Sequence, residues 1–118
     1  MLVRSARCVV LLLCFATAMI GAARADDLRS EIAPMGKLRV AIGISPAGGA
    51  FWSTRTESGG YAGVPVDLGK DMAAQLGLPV EYIPFQNSGQ ITDAASKGVW
   101  DVTFLPRDAE RERQAVQG

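Results

Sequence analysis

One stretch constrains this chain more than any other: Gly63 to Ile83, GVPVDLGKDMAAQLGLPVEYI. Pro65 stands where a first helical turn begins, where a missing N–H costs nothing. Asp67 then places a negative charge near the positive end of the helix dipole. Leu68, Gly69, Met72, Ala73 and Leu76 recur at helical spacing and predict one apolar stripe, with Lys70, Asp71, Ala74 and Gln75 on the other side. Gly77 suits the left-handed residue after the helix, and Pro79 prevents continuation. Val80 to Ile83 alternates as a short strand directly behind. A strand before the helix would complete a βαβ unit, and Leu38 to Ile44, LRVAIGI, supplies one.

The remaining elements repeat the alternation. Asn87, with Gln90 three positions on, has capping-box spacing and opens a second helix carrying Ile91, Ala94 and Ala95, which Gly98 ends. Trp100 to Leu105 predicts a third strand, stopped by Pro106, and Asp108 an N-cap for a charged last helix. Strand, helix, strand, helix, strand, helix implies an α/β domain with a parallel sheet and right-handed crossovers. The usual doubly wound order puts the first strand in the middle, with Val80–Ile83 and Trp100–Leu105 as its neighbours. Ligands of such sheets bind outside the carboxyl ends of the strands at the topological switch. Two segments leave the strands there, Ser45 to Trp52 and Pro106 to Arg111. The first begins a long glycine-rich stretch, Ser45 to Gly60, read as a loop; loops of that length are usually functional or disordered. Phe51 and Trp52 sit side by side within it, either as core cover or as pocket wall.

The N-terminus carries a different signal. Arg4 and Arg7 precede an apolar run, Val9 to Ile20, too short for a comfortable membrane span, and Ala23-Arg24-Ala25 is a small-x-small cleavage site. Residues 1–25 are therefore expected to be a secretory signal peptide, cut between Ala25 and Asp26. A lipoprotein signal ending at Cys14 would need a small residue before the cysteine, and Leu13 stands there. Removing the first 25 of 118 residues leaves 93, enough for one small domain. It also takes three of twelve basic residues, leaving nine against twelve acidic ones, and both cysteines, Cys8 and Cys14. A mildly acidic, cysteine-free exported chain without a basic block is a poor partner for nucleic acid or anionic membrane. Residues 26–37 read as a polar lead-in, with a helical turn at Leu28 to Ile32, and 38–118 as the folded lobe.

The chemistry available is that of binding. There is no histidine, no G-x-S-x-G elbow and no phosphate loop with Lys-Ser/Thr, and Gly48-Gly49 lacks the G-x-G-x-x-G spacing. No cofactor and no metal are expected. What remains is aromatic surface, a glycine-rich loop and Arg111 in the first turn of the last helix, where a guanidinium suits a carboxylate. The competing reading makes Arg111 a solvated helix charge paired with Asp108.

Several segments resemble the periplasmic solute-binding proteins of family 3, which serve ABC importers of amino acids and other polar solutes. GKLRVAIGISP resembles that family's opening strand and turn. GGYAGVPVDLGKDMAAQLGLPVEY resembles its helix motif, KGVWDV the strand entry after the second helix, and DAER the T-x-E-R motif whose arginine holds the ligand's α-carboxylate. The resemblance runs from about Gly36 to the end and implies a periplasmic-binding-protein-like first lobe, an inner-membrane ABC permease as partner and a periplasmic location. It assigns the carboxylate to Arg111 and, with the topology, gives Ser45, Phe51, Trp52, Asn87 and Arg111 as the ligand-binding residues. Some features depart from the family. Gly48 stands where a ligand-covering aromatic is common, Val64-Pro65 replaces Phe-Asp before the helix, and Thr103 to Arg107 is about two residues short. The chain ends where a first lobe would cross into a second, so the expectation is a truncated receptor for an amino acid or similar carboxylate, not an enzyme. The alternatives are a periplasmic enzyme on the same fold, of the cyclohexadienyl dehydratase kind, and a non-binding remnant.

Overall fold

A computed structural model describes residues 24–114. The signal-peptide expectation thus falls almost wholly outside the described residues. The chain divides into two units, 1–34 and 35–118. In the first, residues 24–32 form a helix (α1), longer than the single turn expected at Leu28 to Ile32. Arg29 pairs with Asp26 at 2.9 Å one turn earlier, and Ser30 Oγ donates to the Asp27 carbonyl.

The second unit is built on β1, Leu38–Ile44, whose Leu38, Val40, Ala41 and Ile42 are at most 1% exposed. The other strands are β2, Trp52–Arg55; β3, Tyr61–Ala62; β4, Val80–Phe85; and β5, Val102–Thr103. β4 pairs in parallel with β1 along its length, from Leu38↔Val80 to Gly43↔Phe85. The opposite edge of β1 is shared. β5 takes its middle, Val40↔Val102 and Ala41↔Thr103, and β2 takes its end, Gly43↔Trp52 and Ile44↔Ser53. β1 is therefore central between the two predicted neighbours. β4 runs two residues further than the alternation indicated, and β5 covers only two of the six residues expected.

The stretch 45–60 is not wholly loop. β2 and β3 form an antiparallel hairpin, Thr54↔Ala62 and Arg55↔Tyr61. Its turn is held by Thr56 N–H on the Gly60 carbonyl and Gly60 N–H on Thr56 Oγ1, both 3.0 Å. Its strand WSTR has no apolar alternation; the fully buried side chain is that of Ser53. A periodicity reading has nothing to find there.

Helix α2, Val64–Leu76, ends as its sequence requires. Gly77 is left-handed (φ 66°), and the Leu78 and Gly77 N–H groups donate to the Ala73 and Ala74 carbonyls, a Schellman cap. Its phase differs from the predicted stripe. The buried residues are Pro65, Val66, Gly69 and Ala73, while Leu68 is 44% exposed and Met72 and Leu76 are half-buried. Close approach explains the rotation. A Cβ on Gly69 would lie 2.9 Å from Val40 Cγ2, so α2 meets β1 through its smallest side chains and turns Leu68 away. Helix α3, Ser88–Asp93, packs on the opposite face. A Cβ on Gly43 would lie 3.9 Å from Ile91 Cδ1, and Gly43 and Val40 have opposite parity on one strand. A single 3₁₀ turn, Ala95–Lys97, follows and stops at Gly98, and α4, Ala109–Gln114, closes the described chain.

β5 is tied to β1 by more than its short ladder. Arg39 Nη2 and Nε reach Asp101 Oδ1 and Oδ2 at 2.7 and 3.1 Å, and the Arg39 backbone N–H reaches Oδ2 at 2.8 Å. The Asp101 N–H returns a bond to the Arg39 carbonyl, and Arg39 Nη1 donates to the Gly98 carbonyl. The hydrogen bonds to Asp101 raise the Arg39 pKa; burial opposes the shift, and the charges of Asp101 and Glu81 add to it.

Candidate ligand-binding site

The carboxyl end of β1 opens into a small cavity because Gly43 has no side chain. A Cβ there would lie 2.9 Å from Trp52 Cζ3, so the glycine lets the indole lie across the strand end. The cavity holds about 90 Å³ and is lined by Gly43, Phe51, Trp52, Ser88, Ile91, Leu105, Pro106 and Arg111. A larger cleft of about 530 Å³ adjoins it and shares Phe51, Leu105, Pro106 and Arg111. Its further wall is one face of α2, with Val64, Pro65, Leu68 and Met72, and the segment Trp100 to Pro106.

Arg111 stands where the two cavities meet. The Asp108 carboxylate caps α4, its Oδ1 accepting from the Glu110 and Arg111 N–H groups at 3.1 and 2.9 Å. Its Oδ2 holds Arg111 Nη1 at 2.7 Å. The same Nη1 donates to the Pro106 carbonyl at 2.7 Å, and Nη2 to Ser88 Oγ at 3.3 Å. The guanidinium is thus held from α3, through Ser88, and from the segment before α4, through Pro106 and Asp108, with its side chain mostly buried. Both sequence readings describe part of this: the arginine does pair with Asp108, and it also lines both cavities. A planar fork fixed in this way suits two-point recognition of a carboxylate.

Phe51, Trp52 and Arg111 are brought together as expected from the two segments leaving β1 and β5. Phe51, 45% exposed, lines both cavities, while Trp52 is half-buried and lines the smaller. Ser45 and Asn87 line neither. Ser45 carries loop hydrogen bonds, its N–H to the Ser53 carbonyl and its carbonyl from the Gly48 N–H. Asn87 Oδ1 accepts from the Gln90 N–H at 2.9 Å, while Gln90 Oε1 accepts from the Gln86 N–H, so the side chain serves as the cap of α3. The α2 wall and Ser88 were not legible as site residues. The wall follows from the phase of α2, which only the Gly69–Val40 approach sets. Ser88 meets an arginine 23 residues away, with no local pattern to mark it.

Among the described residues, no group of three His, Cys, Asp or Glu side chains is placed to hold a metal ion, and no helix is long and apolar enough to cross a membrane.

No family model matches the sequence, and no curated protein matches it. Solved structures do. An ancestral cationic amino acid solute-binding protein, AncCDT-1, is 30% identical, with a TM-score of 0.59 over 71% of this chain and 36% of that one. The fold is of the solute-binding-protein type. A second AncCDT-1 structure, described as an amino-acid-binding precursor of cyclohexadienyl dehydratase, gives 31% identity and a TM-score of 0.57 over 71% and 36%. A variant of AncCDT-3, an ancestral cyclohexadienyl dehydratase, gives 29% and 0.51 over 70% and 34%. The chain therefore spans 36% or less of the length of these solute-binding-type neighbours.

Proposed function

We propose that this chain carries the carboxylate-binding half of a family 3 solute receptor, which works outside the cytoplasm and delivers an amino acid or similar small carboxylate to an ABC permease. The observation that carries the reading is Arg111, held at three points where two cavities meet at the carboxyl end of the sheet. The amino-acid-binding neighbours support it. Binding is preferred to catalysis because Asp101, the one carboxylate lining the cavities, is engaged by Arg39 and is not poised as a general acid or base. The dehydratase neighbour keeps an enzyme on the same fold as the second reading.

A single open face leaves the ligand's charges partly in water, where an ion pair is worth about 0–1 kcal/mol. Affinity from these residues alone is therefore weak, and a second lobe closing over the ligand would strengthen the same contact by excluding water. The test is an NMR titration of the isotope-labelled chain with an amino acid and with its carboxamide. The Arg111 Nε–H and Trp52 indole signals are expected to move with the acid and not with the amide. Equal shifts with both would refute a carboxylate anchor. For export, mass spectrometry of the periplasmic product is expected to find Asp26 at the N-terminus; a lipidated Cys14 start would refute the cleavage site.

A further inference from the structure

We propose that the ligand held by Arg111 has an apolar body of aromatic or branched aliphatic kind, not a cationic one; this rests on the carboxylate-anchor reading above. The cavity beside Arg111 holds about 90 Å³. The adjoining cleft of about 530 Å³, which shares Phe51, Leu105, Pro106 and Arg111 with it, is much larger and offers the body of a ligand most of its room. That cleft is walled by Phe51, Val64, Leu68, Met72, Phe104 and Leu105. Its one carboxylate is Asp101, whose side chain is 3% exposed and already receives Arg39 through Nε, Nη2 and the backbone N–H. A cationic body would lose hydration against an apolar wall and find no free acid to replace it. An apolar body would remove that wall from water.

The experiment uses the isotope-labelled full chain and four carboxylates sharing one head group: phenylpropanoate, isocaproate, ε-aminocaproate and acetate. Arg111 Nε–H shifts report the anchor, and signals of Leu68, Met72 and Phe104 report the cleft. Phenylpropanoate and isocaproate are expected to bind about tenfold or more tighter than ε-aminocaproate, and to shift the cleft signals. Leu68→Glu, which puts a carboxylate into the cleft wall, is expected to reverse that order, and an unchanged order in that variant would overturn the apolar-body inference. Arg111 shifts of equal affinity for all four ligands would overturn the apolar-body inference and leave the anchor standing. Tighter binding of ε-aminocaproate to the unaltered chain would do the same. No Arg111 shift with any of the four would overturn both.

Discussion

Arg39 and Asp101 form a two-point fork, Nη2 to Oδ1 at 2.7 Å and Nε to Oδ2 at 3.1 Å, between the central strand and the entry to β5. With only two residue pairs in the β1–β5 ladder, this fork and the reciprocal backbone bonds fix the segment Trp100 to Pro106 that walls the larger cleft. The Asp101 side chain is 3% exposed and that of Arg39 15%, so solvent screens the pair weakly.

Arg39→Ala leaves the Asp101 carboxylate buried with only a backbone donor, and is expected to cost about 3–5 kcal/mol in denaturant unfolding. Replacing both partners by apolar residues, Arg39→Met with Asp101→Leu, is expected to be far milder. A single and a double variant of equal cost would mean that lost packing, not the orphaned charge, sets the penalty.

The phase of α2 is set where Gly69 meets Val40. Gly69→Ala places a methyl 2.9 and 3.1 Å from the two Cγ atoms of buried Val40, whose β-branched side chain cannot swing aside. Overpacking of this kind costs about 1–3 kcal/mol, against roughly 1 kcal/mol gained by alanine over glycine in a helix. Leu68→Ala, at an exposed position, is expected to stay within about 0.5 kcal/mol. The reverse order in thermal unfolding would restore the stripe read from the sequence.

Tyr82 links α2 to β4, its hydroxyl donating to the Val66 carbonyl at 2.8 Å. Burial, and secondarily the charge of Asp67, raises its pKa above the ordinary 10.0. A phenol raised in the folded state contributes stability that is whole below the unfolded value and is lost as pH rises through the folded one. Stability is therefore expected to fall from about pH 10 upward, and Tyr82→Phe to flatten that fall while lowering stability at neutral pH. An unchanged alkaline slope in Tyr82→Phe would assign the loss to other groups.

The elements with strong local grammar were legible in the sequence. Pro65 and Gly77 bracket α2, Asn87 and Gln90 cap α3, Asp108 caps α4, and the apolar run of β1 marks a strand covered on both faces. What was not legible depends on distance. The hairpin β2–β3 has a buried serine and glycine-rich flanks in place of alternation. The rotation of α2 comes from a helix–strand contact between Gly69 and Val40, which no helical period encodes. The site divides in the same way. The placing of Arg111, Phe51 and Trp52 beside one another follows from topology and the carboxylate role of Arg111 from the family resemblance, whereas Ser45 and Asn87 line neither cavity, the Ser45 backbone holding its loop and Asn87 Oδ1 capping α3.

Whether Arg111 anchors a carboxylate is settled by saturation-transfer NMR of phenylpropanoate on the unaltered chain and on Arg111→Ala, with circular dichroism confirming that both are folded. Transfer is expected from the unaltered chain and is expected to vanish, or fall by about tenfold in affinity, in the variant, as loss of a charge-assisted two-point contact requires. Equal transfer from both proteins would contradict the anchor and return Arg111 to a helix charge paired with Asp108.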